Sequence, residues 1–442
     1  MNSYQKNKKF GFPDPLVSAD IKKSPDYGLK FAKAIMDQWG SMDASNSLLR
    51  KRHNVFNRNK LYANGTQDTT IYTQLLTSMD PNNGDGSFLN LDFTPVPILP
   101  KFVRIVVNKI LSKKPYPNLE AVDPLSSSEK DMQRRKVEMQ ILAKQKTAAI
   151  AEKLGEGDAK TKNIPETLEE AEIFSQNNIK SSGEIAAQIA TNMTLEWNDF
   201  DDNTFRRAVL DLVRYGMGVV KRSNDPNYGI VEEYIDPDKF IHSYTEDPNF
   251  NDLIYAGHIK TITISELRRL AAGQLEEEDL QEIAKSTART KGHDMTGFSK
   301  TNYDEHTQRH RYGYDEYMVD ILDFEFKAVD CMYFESKESK HGNVGFYFKG
   351  DSYKKPENSV FEREVSKMEN EVVYGGTYII NSKKILNYCL KSNLPKNIHD
   401  LSRVNLSYFP VATNLIDMIP KSMVDSCIGF ADQLQLTHLK VQ

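Results

Sequence analysis

The sequence is poor in cysteine and tryptophan, with three Cys (Cys331, Cys389, Cys427) and two Trp in 442 residues. No cysteine lies in a CxxC pair and the number is odd. This argues against a disulfide scaffold or a zinc site, and for a reducing compartment. There is no apolar run of about 18 residues, so no transmembrane helix is expected. The first residues, MNSYQKNKKFGFPDP, lack the apolar core of a signal peptide. The protein is expected to stay in the cytoplasm where it is made, or to be assembled there into something larger.

Motifs for chemistry are missing too. A phosphate-binding loop needs GxxxxGK[ST], because backbone amides and a lysine must surround the phosphates. No such string occurs. Gly216-Met217-Gly218 has the look of a dinucleotide loop, but Lys221 occupies the third glycine position. Its glycines also lie between a helix and a strand, the reverse of the required order. A sharp turn after a helix explains them better. His306 and His310 are four apart with no HExxH glutamate and no third ligand, in basic, loop-like surroundings. GxSxG is absent. Asp201-Asp202 and the Asp236/Asp238 pair have the chemistry for Mg²⁺ in a nuclease. A helix start and a turn account for them more simply. These failures shift weight towards a structural or assembly protein that carries no cofactor.

What the chain does have is charge, aromatics and length. Charged residues make up 27%, and there are 21 Tyr and 21 Phe. Tyr and Phe suit sheets and protein contacts. The length calls for two or three packed units. Net charge is −5, but residues 1–60 hold 12 Lys/Arg against 5 Asp/Glu. Lys6, Lys8, Lys9, Lys22, Lys23, Arg50, Lys51 and Arg52 are therefore candidate contacts to nucleic acid or an acidic partner.

Along the chain, 1–30 reads as an extended arm. Helices are expected at 28–40, with Phe31, Ile35 and Trp39 on one face, and at 41–62. Another begins near Pro100, with Phe102, Ile105, Val106, Lys109 and Ile110 near one face. The span 126–154 is a charged helix former with few apolar residues, and Pro165 suits a second helix start. Ile185, Ile189, Met193 and Trp197 mark one helix; Phe205, Val209, Leu212 and Val213 mark the next, ending at Gly216. DPNYG at 225–229 predicts a hairpin. A strand follows at 253–262, and Thr263 with Glu266 opens a short helix. Residues 276–313 look loop-like. From 314 to 409 the pattern is β, with Gly375-Gly376 expected as a hairpin turn. A last helix is expected from Pro420, where Met423, Cys427, Phe430 and Leu434 form one apolar stripe, with Gln433, Gln435 and Lys440 off it. The fold class is α+β. The organisation is a basic arm and helical region (1–125), a charged helical insertion (126–183), helices plus hairpin (184–313), a β-rich region (314–419) and the last helix (420–442).

Three stretches carry a resemblance. The string FRRAVLDLVRYGMGVVKRSNDPNYGIVEEYIDPDKFIHSYTEDPNFNDLIYAGHIKTITISELRRL, Phe205–Leu270, resembles the wing region of tailed-bacteriophage portal proteins. It has a helix ending in a G-x-G turn, a hairpin, a DP turn at Asp236-Pro237, a second acidic turn at Asp247-Pro248, then a strand and a capped helix. Upstream, KFVRIVVNKILSKKPYPNLEAVDP is similar to an early helix with a proline-containing exit. Downstream, YFPVATNLIDMIPKSMVDSCIGFADQLQLTHLKVQ is similar to the passage into the first stem helix. The portals of crAss-like phages look most alike. The resemblance implies a portal-like fold and a homo-oligomeric ring, typically of twelve subunits, at one vertex of the virion. Such a ring passes double-stranded DNA and meets the major capsid protein, the packaging motor (terminase) and tail or adaptor proteins. It also implies that the last helix begins the first stem helix, with its stripe against neighbouring subunits, and that the chain continues beyond Gln442. The competing expectations are another head–tail connector or minor capsid protein, and a nucleic-acid-processing enzyme.

Overall fold

The computed structural model describes residues 11–40, 47–72, 92–113, 119–154 apart from 122, 180–290 apart from 226–228, 318–338, 344–350, 363–396 apart from 381 and 383, and 402–441 apart from 417, with Pro117, Glu170 and Tyr353 as single positions. Helices and antiparallel sheet share the chain, so the fold is α+β. The helices are α1 (Ala19–Lys22), α2 (Pro25–Trp39), α3 (Leu48–Asn64), α4 (Leu99–Leu111), α5 (Pro124–Leu154), α6 (Ser182–Trp197), α7 (Arg206–Tyr215), α8 (Ile264–Ala271), α9 (Glu277–Thr290) and α10 (Met423–Val441). The strands are β1 (Met217–Asp225), β2 (Gly229–Ile235), β3 (Phe240–His242), β4 (Tyr255–Thr263), β5 (Met318–Glu338), β6 (Val344–Lys349), β7 (Arg363–Ile379), β8 (Ile385–Leu390), β9 (Tyr408–Ala412), β10 (Leu415–Ile416) and β11 (Ile419–Pro420). Two compact units divide them: residues 1–112 with 203–442, and residues 113–202.

In the first unit the main sheet runs β3-β4-β5-β7-β8, and β6 pairs with the far half of β5. A second sheet runs β2-β1-β9. Helix α2 lays Tyr27, Phe31, Ile35 and Trp39 on the main sheet, against Phe324, Phe326 and Tyr374. The Phe31 and Phe326 rings stack at 3.9 Å. This is the face its four-residue spacing predicts. A separate core joins α3, α4, α7 and α10 through Tyr62, Leu99, Val103, Val107, Val209, Val213 and Val424. On another side α8 and α9 bring Leu267, Ala271 and Ile283 to Ile262, Val319 and Ile379.

Several expectations need correction. Gly375-Gly376 is not a turn; both lie inside β7, paired with Glu325 and Phe324 of β5. Their role is close approach: a Cβ on Gly376 would stand 3.0 Å from Tyr388 Cα, and the β7–β8 register shifts there. Residues 277–290 form helix α9, whose first turn holds Glu277, Glu278 and Asp279, where carboxylates favour the helix N-terminus. Helix α4 buries Leu99, Val103 and Val107, while the expected Phe102 and Ile105 are exposed. The hairpin β1–β2 closes with Asp225 opposite Gly229. The expected helix at Pro165 lies outside the described residues.

In the second unit α5 spans 31 residues and α6 spans 16. Ser181 opens α6 with a full capping box, its hydroxyl accepting from Glu184 N at 3.3 Å while the Glu184 carboxylate accepts from Ser181 N at 3.0 Å. Lys130 of α5 pairs with the same carboxylate at 2.5 Å.

Candidate subunit interface on the last helix

Helix α10 begins later than its sequence suggests. Pro420 belongs to β11 and faces Leu415 of β10, so the first helical residue is Met423. Ser422 supplies the cap, its hydroxyl accepting from Asp425 N at 2.9 Å. From there the helix is bound to its own chain by apolar packing at Val424 and Leu439 and by a line of polar side chains. Asn59 donates to the Ser422 hydroxyl at 3.2 Å, and Arg58 donates to Asp425. Tyr62 and Tyr72 both donate to Asp432 Oδ1, at 2.7 and 2.6 Å. Gln435, only 1% exposed, accepts from Val96 N at 2.8 Å and donates to Thr94 O at 3.2 Å. That amide clamps an extended segment as a strand partner would. Burial and the Asp432 carboxylate push the Tyr62 hydroxyl up to about 12 and Tyr72 higher still.

The expected stripe divides on this geometry. Met423 and Cys427 are half-buried and pack on the core of α3, α4 and α7 with Ile428 and Ala431. Leu434 is half-buried, and Phe430 is 65% exposed. The buried line is Val424, Gln435 and Leu439, turned to one side of the expected one. Gln435, expected off the packing face, is at its centre. Hydrophobic periodicity cannot find a face held by amide and carboxylate. The buried positions Val424, Gln435 and Leu439 form no apolar repeat that the sequence alone could show.

The basic candidates separate into two kinds. Lys23, Arg50 and Lys51 are exposed, and Lys6, Lys8 and Lys9 lie outside the described residues. Lys22 and Arg52 must be corrected, because both are buried and neither can meet a partner. Lys22 Nζ donates to Val329 O at 2.6 Å and lies 3.5 Å from Asp330 Oδ1. Arg52 donates to Asp238 O at 3.0 Å and to Phe240 O, and its guanidinium lies 4.6 Å over the Trp39 ring. A composition count cannot distinguish a solvated lysine from one that ties two segments together.

The positions weighed for chemistry also find places. Asp236 caps a short 3₁₀ turn, accepting from Asp238 N at 3.1 Å, and Asp238 Oδ2 lies 2.6 Å from His53 Nδ1. Asp201 and Asp202 are exposed in a π-helical turn, Phe200–Phe205. His306 and His310 lie outside the described residues. Among the described residues no trio of His, Cys, Asp or Glu is placed to hold a metal ion. No described helix is long and apolar enough to cross a membrane. Gly216 ends α7 at φ +80, and a Cβ there would meet Lys421 O at 2.5 Å. A Cβ on Gly218 would meet Ala208 O at 2.8 Å. Both glycines therefore serve a tight turn that also brings α7 against the entry to α10.

One buried polar group had no sequence signal. Lys221 pairs with Asp323, His258 Nδ1 lies 2.9 Å from the Tyr408 hydroxyl, and that hydroxyl donates to Asp323 O at 3.1 Å. Burial raises the Asp323 carboxyl, but Lys221 and His258 outweigh it and hold it at about 2. Burial brings His258 down to about 4, so it is neutral at neutral pH. These residues come from β1, β4, β5 and β9 and tie the two sheets together. No protein-family model matches the chain, and no curated protein matches it.

Proposed function

We propose that this chain is a portal subunit of a tailed bacteriophage, a non-enzymatic structural protein of the virion that assembles from copies of itself into a ring. The ring passes double-stranded DNA during packaging and ejection, and offers a platform to the major capsid protein, the packaging motor and the tail adaptors. One observation carries most weight beside the sequence resemblance. Helix α10 is anchored to its own chain by a polar seam, and Phe430 of the expected stripe remains uncovered. An exposed aromatic on a helix whose other face is already satisfied suits a partner surface. A head-to-tail contact closes into a ring when its rotation divides a circle. A net charge of −5 fits a DNA path that must not bind its cargo tightly.

Negative-stain images of the purified full chain test this reading. Closed rings with a central channel are the expected result. Rings without a channel, or of a symmetry other than twelve, favour another head–tail connector. ATP- or metal-dependent turnover that is lost on changing Asp201, Asp202, Asp236 or Asp238 to Ala would overturn the non-enzymatic reading.

A further inference from the structure

The second unit carries apolar surface that its own described residues leave open. Ile185, Ile189, Met193 and Trp197 follow one another at four-residue steps along α6, the i, i+4 ridge by which helices interdigitate. All four are exposed, Trp197 at 76%. Glu184 is the buried residue of this helix. It sits one residue before Ile185, so at 3.6 residues per turn it points away from the middle of the ridge. Its links to Ser181, Ala121 and Lys130 therefore hold α6 from behind. Between the ridge positions stand Ala186, Ala187 and Ala190, all exposed, and α6 has no Lys or Arg. A helix this apolar needs cover.

Helix α5 has the surface to supply it. Leu125, Met132 and Met139 recur at seven-residue steps and are exposed. Arg135 and Lys136 stand three and four residues after Met132 and flank that stripe, and Lys146, seven after Met139, continues its line; all three are exposed. Helix α5 holds seven Lys/Arg against four Asp/Glu. The α6 ridge ends beside Glu196 and the negative end of its own helix dipole. Apolar stripe meets apolar ridge, and basic flank meets acidic end. Because Lys130 already engages α6 from behind, the ridge is left for a different α5.

We infer that the α6 ridge of one copy docks on the Leu125–Met132–Met139 face of α5 in a second copy. The contact is head-to-tail, since each copy keeps a free α5 face and a free α6 ridge. The inference rests on the proposed self-assembly, and on neither the number of subunits nor the DNA.

Photo-crosslinking of the full chain tests it. Trp197 is replaced by p-benzoyl-phenylalanine, ¹⁴N and ¹⁵N copies are mixed and assembled, and crosslinked peptides are mapped by mass spectrometry. Mixed-isotope links from position 197 into residues 124–154 are expected. Assembled particles whose links stay within one isotope, or join 197 to another region, overturn the inference and leave the ring reading standing. A chain that light scattering shows to be monomeric throughout overturns both. Charge gives a second test, with circular dichroism confirming that each variant folds. Ile189→Lys should weaken assembly about tenfold more than Ile189→Glu, because a lysine meets the basic flank of α5. Equal loss from both variants would rule out α5 as the occupant.

Discussion

A guanidinium without solvent needs its charge answered inside the protein. Arg52 is 2% exposed, and burial lowers it to about 10 against the opposing pull of Asp238 and Asp236. Removing it leaves the Phe240 and Asp238 carbonyls without their donor and a gap against Trp39. Arg52→Ala should therefore cost about 2–5 kcal/mol of subunit stability, measured by urea unfolding. Asp211 gives a pH signature. Tyr234 donates to it, Arg207 lies 5.6 Å over the Tyr234 ring, and Asp236, Arg214 and Tyr215 complete the charged surroundings. Burial first, and Asp236 in addition, raise its carboxyl from 3.8 to about 7. The folded state thus holds a proton that the unfolded state releases. The stability it contributes is present below pH 3.8 and is lost as pH rises towards 7. The change is on the order of 4 kcal/mol across that window. Asp211→Asn should flatten the slope; unfolding curves at several pH values for both proteins would show it. None of this was legible in the sequence, because a buried Arg, Lys or Asp is written with the same letter as a solvated one. Gly216 was legible: a glycine after a helical run needs no tertiary information to be read as a stop.

Elements were read well where one physical signal dominated. The α2 face, the β1–β2 hairpin and the Thr263 cap follow from spacing and turn chemistry alone, and the hydroxyl of Thr263 does accept from Glu266 N at 3.2 Å. Helices α4 and α10 failed in phase, and α9, expected as loop, failed in existence. In α4 and α10 the apolar residues spread over more than one face, and tertiary partners chose among them. Gly375-Gly376 failed because a close backbone crossing uses the same residues as a turn. The seam of α10 yields a paired prediction. Asp432→Ala leaves two tyrosine hydroxyls without their acceptor and should cost about 1–3 kcal/mol. Phe430→Ala should change the dispersed subunit by no more than about 0.5 kcal/mol, since the ring is in solvent there. Thermal unfolding distinguishes the two, and assembly should respond in the opposite order, with Phe430→Ala the more damaging.

At the scale of the whole molecule, the α+β class was legible in the sequence, and the boundaries of the compact units were not. Composition placed a charged insertion at 126–183, whereas the second unit runs over residues 113–202 and takes in α6. The ridge of α6 reads as a core face until burial shows it exposed. That ridge, Phe430 of α10 and the aromatics Phe346 and Phe348 of β6 are all exposed large apolar side chains. The proposed self-assembly would cover all three. The most direct test is the native mass of the purified full chain at micromolar concentration, by mass photometry or native mass spectrometry. A single dominant species is expected at a whole-number multiple of the 50.5 kDa subunit, twelve for a portal ring. A stable 50.5 kDa monomer would contradict it.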